Sequence, residues 1–317
     1  MSAADQERGS RFRIGTRGSA LARWQTDHVK NLLSGVFPDL VIDVDVVTTR
    51  GDTLLGASLP SLGGKGLFTA ELEKALLDGG IDIAVHSAKD LPTEFPGGLV
   101  IGAVARRANP CDVLVSARGF VVDTLPRGAV VGTSSPRRAA QLLNVRPDIS
   151  IRDIRGNVDT RINKALKTGG DYDAILLAHA GLDRLGRLDV VTEVLDPDLM
   201  LPAPGQGALA VQCRDEESSL GIVRRINDAG SEIAVVAERA FLSGLGGGCA
   251  LPICCLGVFA NGRLGIRGRV LTANGTRRID VSAERDVRNI DDARQLGLDL
   301  AGDALEKGAA GLLGMDQ

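Results

Sequence analysis

The chain has 317 residues, too many for one small hydrophobic core, and this length predicts two or three domains. Hydrophobic residues make up 44% and charged residues 24%, which is the composition of a globular protein rather than a disordered one. A net charge of −3 and an aromatic content of 3% argue against a nucleic-acid-binding protein, which needs basic surfaces and stacking rings.

Arginine dominates the basic residues, since only seven of the 37 are lysines and 30 are arginines. A genomic bias towards arginine codons explains this usage as well as function does. Where arginines cluster in loops beside Gly and Ser, planar bidentate recognition of carboxylate or phosphate is the sharper interpretation. Both interpretations stay open at this point.

Cysteine usage and hydropathy indicate the compartment. The five cysteines are an odd number without C-x-x-C spacing, which fits neither a disulfide framework nor a four-thiolate zinc site. No metal is therefore predicted. The N-terminus has no apolar core of a signal peptide, and no stretch approaches membrane-spanning length. These features predict a cytoplasmic protein without a membrane partner.

In chain order, strand-like runs alternate with helical ones. Ser19 is predicted to cap a helix whose apolar face includes Leu21, Trp24, Val29 and Leu32. The other elements predicted in the first third are a strand followed by a loop within 11–17, strands at 41–49 and 81–85, and a helix over 68–80 that stops at its two final glycines.

The middle of the chain repeats this order, and the tail changes it. Strand, loop and helix are predicted over 128–143 and again over 149–170, followed by a strand within 173–181. Asn261-Gly262 and Asn274-Gly275 lie between alternating runs and predict hairpins, and a helix is predicted over 291–308. The fold class is therefore α/β, with mostly parallel sheets in two lobes and a small antiparallel sheet.

One candidate site is the run from Thr133 through Ser134 and Ser135 to Arg137 and Arg138. With Ser135 as N-cap, both arginines fall in the first helical turn, where each cation opposes the helix dipole by about 0.3–1 kcal/mol. This arrangement predicts an anion held by backbone N–H groups, hydroxyls and guanidinium groups. The alternative is two solvated arginines on a surface helix. Similar loop–helix junctions carry Arg17 with Ser19, and Arg155 with Arg161.

Lys89 and Asp90 follow the predicted strand 81–85. Ligands of open α/β sheets bind beyond the carboxyl ends of the strands, where a carboxylate could hold a positive charge or exchange a proton. The alternative is that Asp90 only starts the turn into Leu91-Pro92.

Cys249 follows three consecutive glycines, which let the backbone approach whatever the sulfur carries. A buried structural cysteine is the ordinary alternative. A Cys–His hydrolase would need a base among His28, His86 and His179, and none of these has a recognisable local signature with Cys249.

Seven motifs, in this order from about residue 13 to 253, resemble the signatures of the porphobilinogen deaminase family: RIGTRGSALARWQ, GGKGLFTAELE, AVHSAKDLP, GTSSPRRAAQL, IRGNVDTRI, LPAPGQGALAVQCR and ERAFLSGLGGGCALPI. The resemblance implies an α/β protein of three domains. Two are periplasmic-binding-protein-like lobes with mixed, mostly parallel sheets, and the third is a small α+β C-terminal domain with an antiparallel sheet. The expected bounds are 11–105 plus 203–225, 106–202, and 226–317.

The resemblance also implies the chemistry. Cys249 would carry a dipyrromethane cofactor through a thioether, and four porphobilinogen units would be joined to it with release of ammonia. Hydrolysis then releases the linear tetrapyrrole hydroxymethylbilane. Asp90 matches the catalytic carboxylate of the family. A monomer is implied, and residues matching cofactor- or substrate-binding positions are Arg17, Ser19, Lys65, Ser87, Lys89, Asp112, Thr133, Ser134, Ser135, Arg137, Arg138, Arg155, Gly156 and Arg161.

Two other classes of protein compete with this expectation. A two-lobed solute-binding or effector-sensing module would use the same fold and an Arg-lined cleft, but it has no use for the GGGC motif or the third domain. An acyl or thiol transferase using Cys249 lacks a recognisable base. Replacing Asp90 with Ala separates these classes, because turnover collapses only in the deaminase while carboxylate binding persists.

Overall fold

The structure is a computed structural model that describes residues 11–49, 69–167, 169–248 and 251–315. Its strands, in chain order, are β1 (Arg11–Thr16), β2 (Val41–Val46), β3 (Ile83–Ser87), β4 (Leu99–Val104), β5 (Asp112–Val115), β6 (Val130–Gly132), β7 (Ser150–Arg152), β8 (Ala174–Ala178), β9 (Glu193–Val194), β10 (Leu209–Arg214), β11 (Ile253–Ala260), β12 (Arg263–Leu271) and β13 (Arg278–Asp286).

The helices alternate with these strands. In chain order they are α1 (Ala20–Val36), α2 (Ala70–Leu77), α3 (Pro136–Val145), α4 (Val158–Leu166), α5 (His179–Arg184), α6 (Glu217–Val223), α7 (Ala229–Gly244), α8 (Ile290–Glu306) and α9 (Ala309–Leu313), with short 3-10 turns at Ala88–Asp90, Val122–Thr124, Leu188–Val190 and Arg224–Ile226.

The chain forms two compact units, of which the first takes residues up to 107 and 208–232. Its five-stranded sheet has the order β2-β1-β3-β10-β4. Strands β1, β2 and β3 pair in parallel, whereas β10 runs antiparallel between β3 and β4. A core that includes Ile14, Val29 and Val211 fills one side of this sheet.

Helix α1 begins where the sequence predicts, because the Ser19 hydroxyl accepts the Ala22 N–H at 3.2 Å. The predicted apolar face is wrong in one respect. Trp24 is 38% exposed and stacks on His28, one helical turn away. The polar side chains of Gln25 and Thr26 lie on the buried side with Val29 instead.

The second unit takes residues 108–207 and 233–317. Its five-stranded sheet has the order β7-β6-β8-β5-β9, with β6, β7 and β8 parallel and β5 antiparallel to both neighbours. A separate sheet, β11-β12-β13, is antiparallel throughout. Asn261 and Gly262 both have positive φ in the β11–β12 turn, so the predicted hairpin is confirmed.

The predicted fold class is confirmed: two mixed α/β sheets and a small antiparallel C-terminal sheet. The three-domain division stays a prediction, because the two compact units group 233–317 with 108–207. The antiparallel strands β5 and β10 and the short helix α5 were not anticipated from the sequence. In the described part of the chain, no helix has both the length and the apolar character needed to cross a membrane.

Candidate functional site

In the first unit, predicted site residues gather at the carboxyl ends of two neighbouring strands. Arg17 and Ser19 follow β1, and Ser87 ends β3. Lys89 and Asp90 lie in the 3-10 turn directly after β3. Because β1 and β3 are parallel neighbours, these five residues share one edge of the sheet, which is the edge where ligands of α/β proteins bind.

Asp90 offers its carboxylate at this edge. The residue is exposed, and among the described residues its side chain has no hydrogen bond and no ion pair. Ser87 is held in place, because Gln25 of α1 donates a hydrogen bond from Nε2 to the Ser87 hydroxyl at 2.9 Å. The turn that carries Asp90 is therefore anchored to α1, while the acid itself stays available.

His86 lies in β3, four residues before Asp90, and is only 7% exposed. Burial lowers the pKa of His86 to about 4, a side-chain hydrogen bond with Gln212 opposes this shift, and the charge of Arg17 adds to it. The imidazole is consequently neutral at physiological pH.

In the second unit, β6 and β7 are parallel neighbours whose carboxyl ends carry the predicted Ser- and Arg-rich loops. The Ser134 hydroxyl donates to the Ile154 carbonyl at 2.9 Å and accepts from the Ile154 N–H at 3.2 Å, so it joins the two loops. Ser135 caps α3 by accepting the Arg138 N–H, as predicted, and Pro136 occupies the first turn. Thr133 is buried, and its hydroxyl accepts the Ser135 N–H.

Arg137 and Arg138 are neither solvated nor open to the surface. They are 4% and 6% exposed, and both contact Asp112, which is fully buried at the start of β5. Arg137 Nη1 lies 2.7 Å from Asp112 Oδ2, and Arg138 Nη2 lies 2.8 Å from Oδ1. Burial raises the pKa of Asp112, but Arg137 and Arg138 outweigh it and hold the pKa well below its ordinary value. The alternative of two solvated surface arginines is therefore wrong.

The other arginines of this edge are less buried. Arg155 lies 3.6 Å from exposed Asp153, and its own side chain is 33% exposed. Gly156 has φ +115° and accepts a hydrogen bond from Arg161 Nε at 2.8 Å, so the carbonyl of this turn fixes the Arg161 side chain. Cationic groups thus line the loop between β7 and α4.

Two polar side chains that the sequence interpretation did not single out make long-range contacts in this unit. Gln206 Nε2 donates to Asp112 Oδ1 at 2.9 Å. Glu238, on α7, is fully buried and accepts the Gly205 N–H at 2.6 Å. Both residues belong to motifs read from the sequence, LPAPGQG and ERAFL, but no local signal marks their partners, which lie far away in the chain.

Two predicted site residues, Lys65 and Cys249, lie outside the described residues. Of the other cysteines, burial raises the pKa of Cys254 to about 12 and that of Cys213 to about 11, so neither thiol ionises readily. The described residues contain no group of three His, Cys, Asp or Glu side chains that could hold a metal ion.

The chain is an α/β protein in which each unit carries basic and hydroxyl side chains on loops after parallel strands, and the first unit also has the exposed Asp90 carboxylate. Basic and hydroxyl groups suit an anionic ligand, and a carboxylate suits a ligand on which positive charge develops. Residues 12–221 match the family model "Porphobilinogen deaminase, dipyromethane cofactor binding domain", and residues 232–306 match "Porphobilinogen deaminase, C-terminal domain". The chain belongs to the porphobilinogen deaminase family, whose enzymes are transferases of the hydroxymethylbilane synthase type.

Relatives support this membership over nearly the whole chain. The chain is 46% identical over 303 residues to a porphobilinogen deaminase of Syntrophomonas wolfei, covering 95% of this chain and 97% of that protein. It is 48% identical over 301 residues to one of Pelotomaculum thermopropionicum, covering 95% of each. Among solved structures, the methionine-binding protein MetQ is similar over 68% of this chain and 88% of its own length, at 11% identity and a TM-score of 0.41.

Proposed function

We propose that this chain joins four porphobilinogen molecules on a dipyrromethane group bound to Cys249, and that it then releases hydroxymethylbilane by hydrolysis. The observation that carries the proposal is the exposed Asp90 carboxylate, which has no ion-pair partner among the described residues and shares a sheet edge with Arg17 and Lys89. Family membership supplies the reaction in which such a group has a use.

Asp90 acts on the reacting pyrroles in this proposal. Expulsion of ammonia leaves a cationic azafulvene-like pyrrole, and a carboxylate at hydrogen-bond distance from the pyrrole nitrogen stabilises that charge. The same oxygen can take a proton from the coupled ring when aromaticity is restored. Since Asp90 has no cation of its own among the described residues, its charge is not already neutralised by a fixed partner.

The basic and hydroxyl groups bind carboxylates. Every porphobilinogen unit brings an acetate and a propionate, so a growing chain accumulates two negative charges per ring, and planar guanidinium groups suit them. We assign this role to Arg17, Ser19, Lys65, Ser87, Lys89, Thr133, Ser134, Ser135, Arg137, Arg138, Arg155, Gly156 and Arg161, with Asp112 as the counter-charge that holds Arg137 and Arg138.

The donor set of the described residues fits a dipyrromethane group, because guanidinium and hydroxyl donors match its carboxylates and the Asp90 carboxylate matches its pyrrole N–H groups. When bound, this group supplies the free pyrrole α-carbon to which the first porphobilinogen is joined. The residues of this chain then hold the carboxylates in place and move the proton at Asp90.

Intact-mass measurement of the purified protein beside a Cys249→Ser variant tests the proposal. An excess of two linked pyrrole units on the wild type that is absent from the variant supports both the group and its attachment point. If the wild type has the bare mass and porphobilinogen adds nothing to it, the proposal fails and the solute-binding alternative takes its place. We further propose that the protein is a cytoplasmic monomer that binds neither nucleic acid nor membranes. Sedimentation of the loaded protein tests the monomeric state.

A further inference from the structure

Glu238 lies in the middle of α7 and is fully buried. Its two carboxylate oxygens accept backbone N–H groups from different parts of the second unit. Oε2 accepts from Gly205 at 2.6 Å, and Oε1 accepts from Gly257 of β11 at 2.7 Å. A buried carboxylate is costly unless it is hydrogen-bonded, so both contacts fix the two backbone segments against α7.

The helix that carries Glu238 is itself closely seated on the C-terminal sheet. A Cβ on Gly257 would lie 3.2 Å from the carbonyl oxygen of Ala234, and a Cβ on Gly268 would lie 2.4 Å from the ring of Phe241. Because backbone and ring approach so closely, α7 has little room to shift relative to β11 and β12. The Glu238 carboxylate is therefore a fixed reference point for Gly205.

The turn at Gly205 leads directly to Asp112 and its two basic partners, Arg137 and Arg138. Gly205 has φ +75°, a conformation that favours glycine, and the next residue is Gln206. Gln206 Nε2 donates to Asp112 Oδ1 at 2.9 Å and to the Pro110 carbonyl at 2.6 Å, while Arg137 Nη2 lies 3.5 Å from Gln206 Oε1. The Gln206 side chain thus contacts both Asp112 and Arg137.

We infer that Glu238 is a positioning residue which, through Gly205 and Gln206, sets the orientation of Asp112 and of the Arg137 and Arg138 guanidinium groups. The inference rests on the proposed role of these arginines in binding pyrrole carboxylates. Glu238 touches no substrate in this scheme, and it acts only through the turn. The continuous contacts run from Glu238 to Gly205, Gln206, Asp112 and the arginines.

The experiment measures the rate at which the apoprotein gains mass when it is incubated with porphobilinogen, by intact-mass spectra taken over time. Glu238→Gln keeps the size of the side chain but turns one oxygen into a donor that faces a backbone N–H, so one contact is lost. Gln206→Leu removes the next link. Glu232→Gln is the matched control, because it makes the same chemical change on α7, where Glu232 accepts from Asn227 Nδ2 and is not part of these contacts. Thermal unfolding of each variant is recorded beside the rate.

We expect Glu238→Gln and Gln206→Leu each to slow loading by about tenfold, as for one lost charge-assisted hydrogen bond. The double variant is no slower than either single variant, since both changes interrupt one path, and the control loads at the wild-type rate. Wild-type loading by Glu238→Gln, or effects that multiply in the double variant, overturn the inference.

The inference can still be tested if the Glu238→Gln variant does not fold. If Glu238→Gln does not accumulate as folded protein, Gln206→Leu decides alone, and a wild-type rate for that variant also overturns the inference. Failure of the proposed function is distinguishable, because then the wild type itself gains no mass from porphobilinogen.

Discussion

Oδ1 of Asp112 accepts two hydrogen bonds from the guanidinium of Arg138, from Nε at 3.0 Å and from Nη2 at 2.8 Å, although 26 residues separate the two in the chain. Arg138 stands in the first turn of α3, where the helix dipole disfavours a cation. The anion that compensates it comes from the protein itself, at the start of β5. The cluster of one acid and two bases still carries one net positive charge, which leaves it suited to a further carboxylate.

Asp112→Asn is expected to destabilise the protein by about 3–5 kcal/mol, because it leaves Arg137 and Arg138 buried without a negative partner. Unfolding in urea, with the slope checked against the wild type, measures the loss. Glu284→Gln serves as control, since the Arg263–Glu284 pair is more than half exposed and is expected to contribute less than about 1 kcal/mol. Equal losses for the two variants contradict the prediction.

Asp90→Asn is expected to lower turnover of porphobilinogen by about 10²–10⁴-fold, because the proposed function gives the Asp90 carboxylate the tasks of stabilising the pyrrole cation and accepting a proton. Stability in urea stays within about 0.5 kcal/mol of the wild type, since Asp90 is exposed and has no ion pair among the described residues. The assay follows porphobilinogen consumption with fully loaded protein.

Asp78→Asn is the matched control for that assay. Asp78 is exposed at the end of α2 and pairs with Lys74, so its replacement leaves turnover unchanged. An Asp90→Asn variant that consumes porphobilinogen at the wild-type rate would remove Asp90 from its proposed role.

Local signals in the sequence predicted the features that are fixed locally. Ser19 and Ser135 are caps, and Asn261-Gly262 forms a hairpin turn, because side-chain hydrogen bonds and left-handed backbone act within a few residues. The partner of Arg138 could not be predicted in this way. Asp112 reaches it only because β5 pairs antiparallel with β8, and such strand order depends on the packing of the whole unit.

Burial on α1 shows the same limit. Hydrophobic periodicity placed Trp24 on the buried face, yet the helix buries Gln25, whose amide has a partner in Ser87 of β3. A buried polar side chain is stable when it has a hydrogen-bond partner, here in the sheet against which the helix packs. The sequence pattern contains no information on that partner. The candidate site residues after β1, β3, β6 and β7 could be predicted because motifs mark loops at strand ends, whereas the hydrogen bonds of Gln206 and Glu238 join distant segments of the chain.

Gly268→Ala is expected to destabilise the second unit by about 1–3 kcal/mol. The added Cβ would lie 2.4 Å from the ring of Phe241, which belongs to the packed C-terminal core, and Gly268 is itself buried. Gly302→Ala on α8 is the matched control, because nothing lies within 4 Å of its Cβ and the helix gains about 0.5–1 kcal/mol. Urea unfolding of both variants measures the difference, and a loss of stability in Gly302→Ala would show that the packing argument is wrong.

His86 is expected to make stability fall with acid between about pH 6.5 and pH 4. Burial lowers the pKa of His86 in the folded protein to about 4, whereas the unfolded chain keeps the ordinary value near 6.5. In that window the unfolded state binds more protons than the folded state, so the free energy of unfolding rises with pH. The contribution of His86 to stability is fully present above about pH 6.5 and is lost as the pH falls towards 4. The shift in the pKa of His86 corresponds to roughly 3 kcal/mol of stability.

Because carboxylates also titrate in this range, the measurement is the difference in the free energy of unfolding between wild type and His86→Asn in urea at pH 7, 5.5 and 4. The wild type should lose about that much more stability than the variant, and parallel losses would mean that His86 has the same pKa in the folded protein as in the unfolded chain.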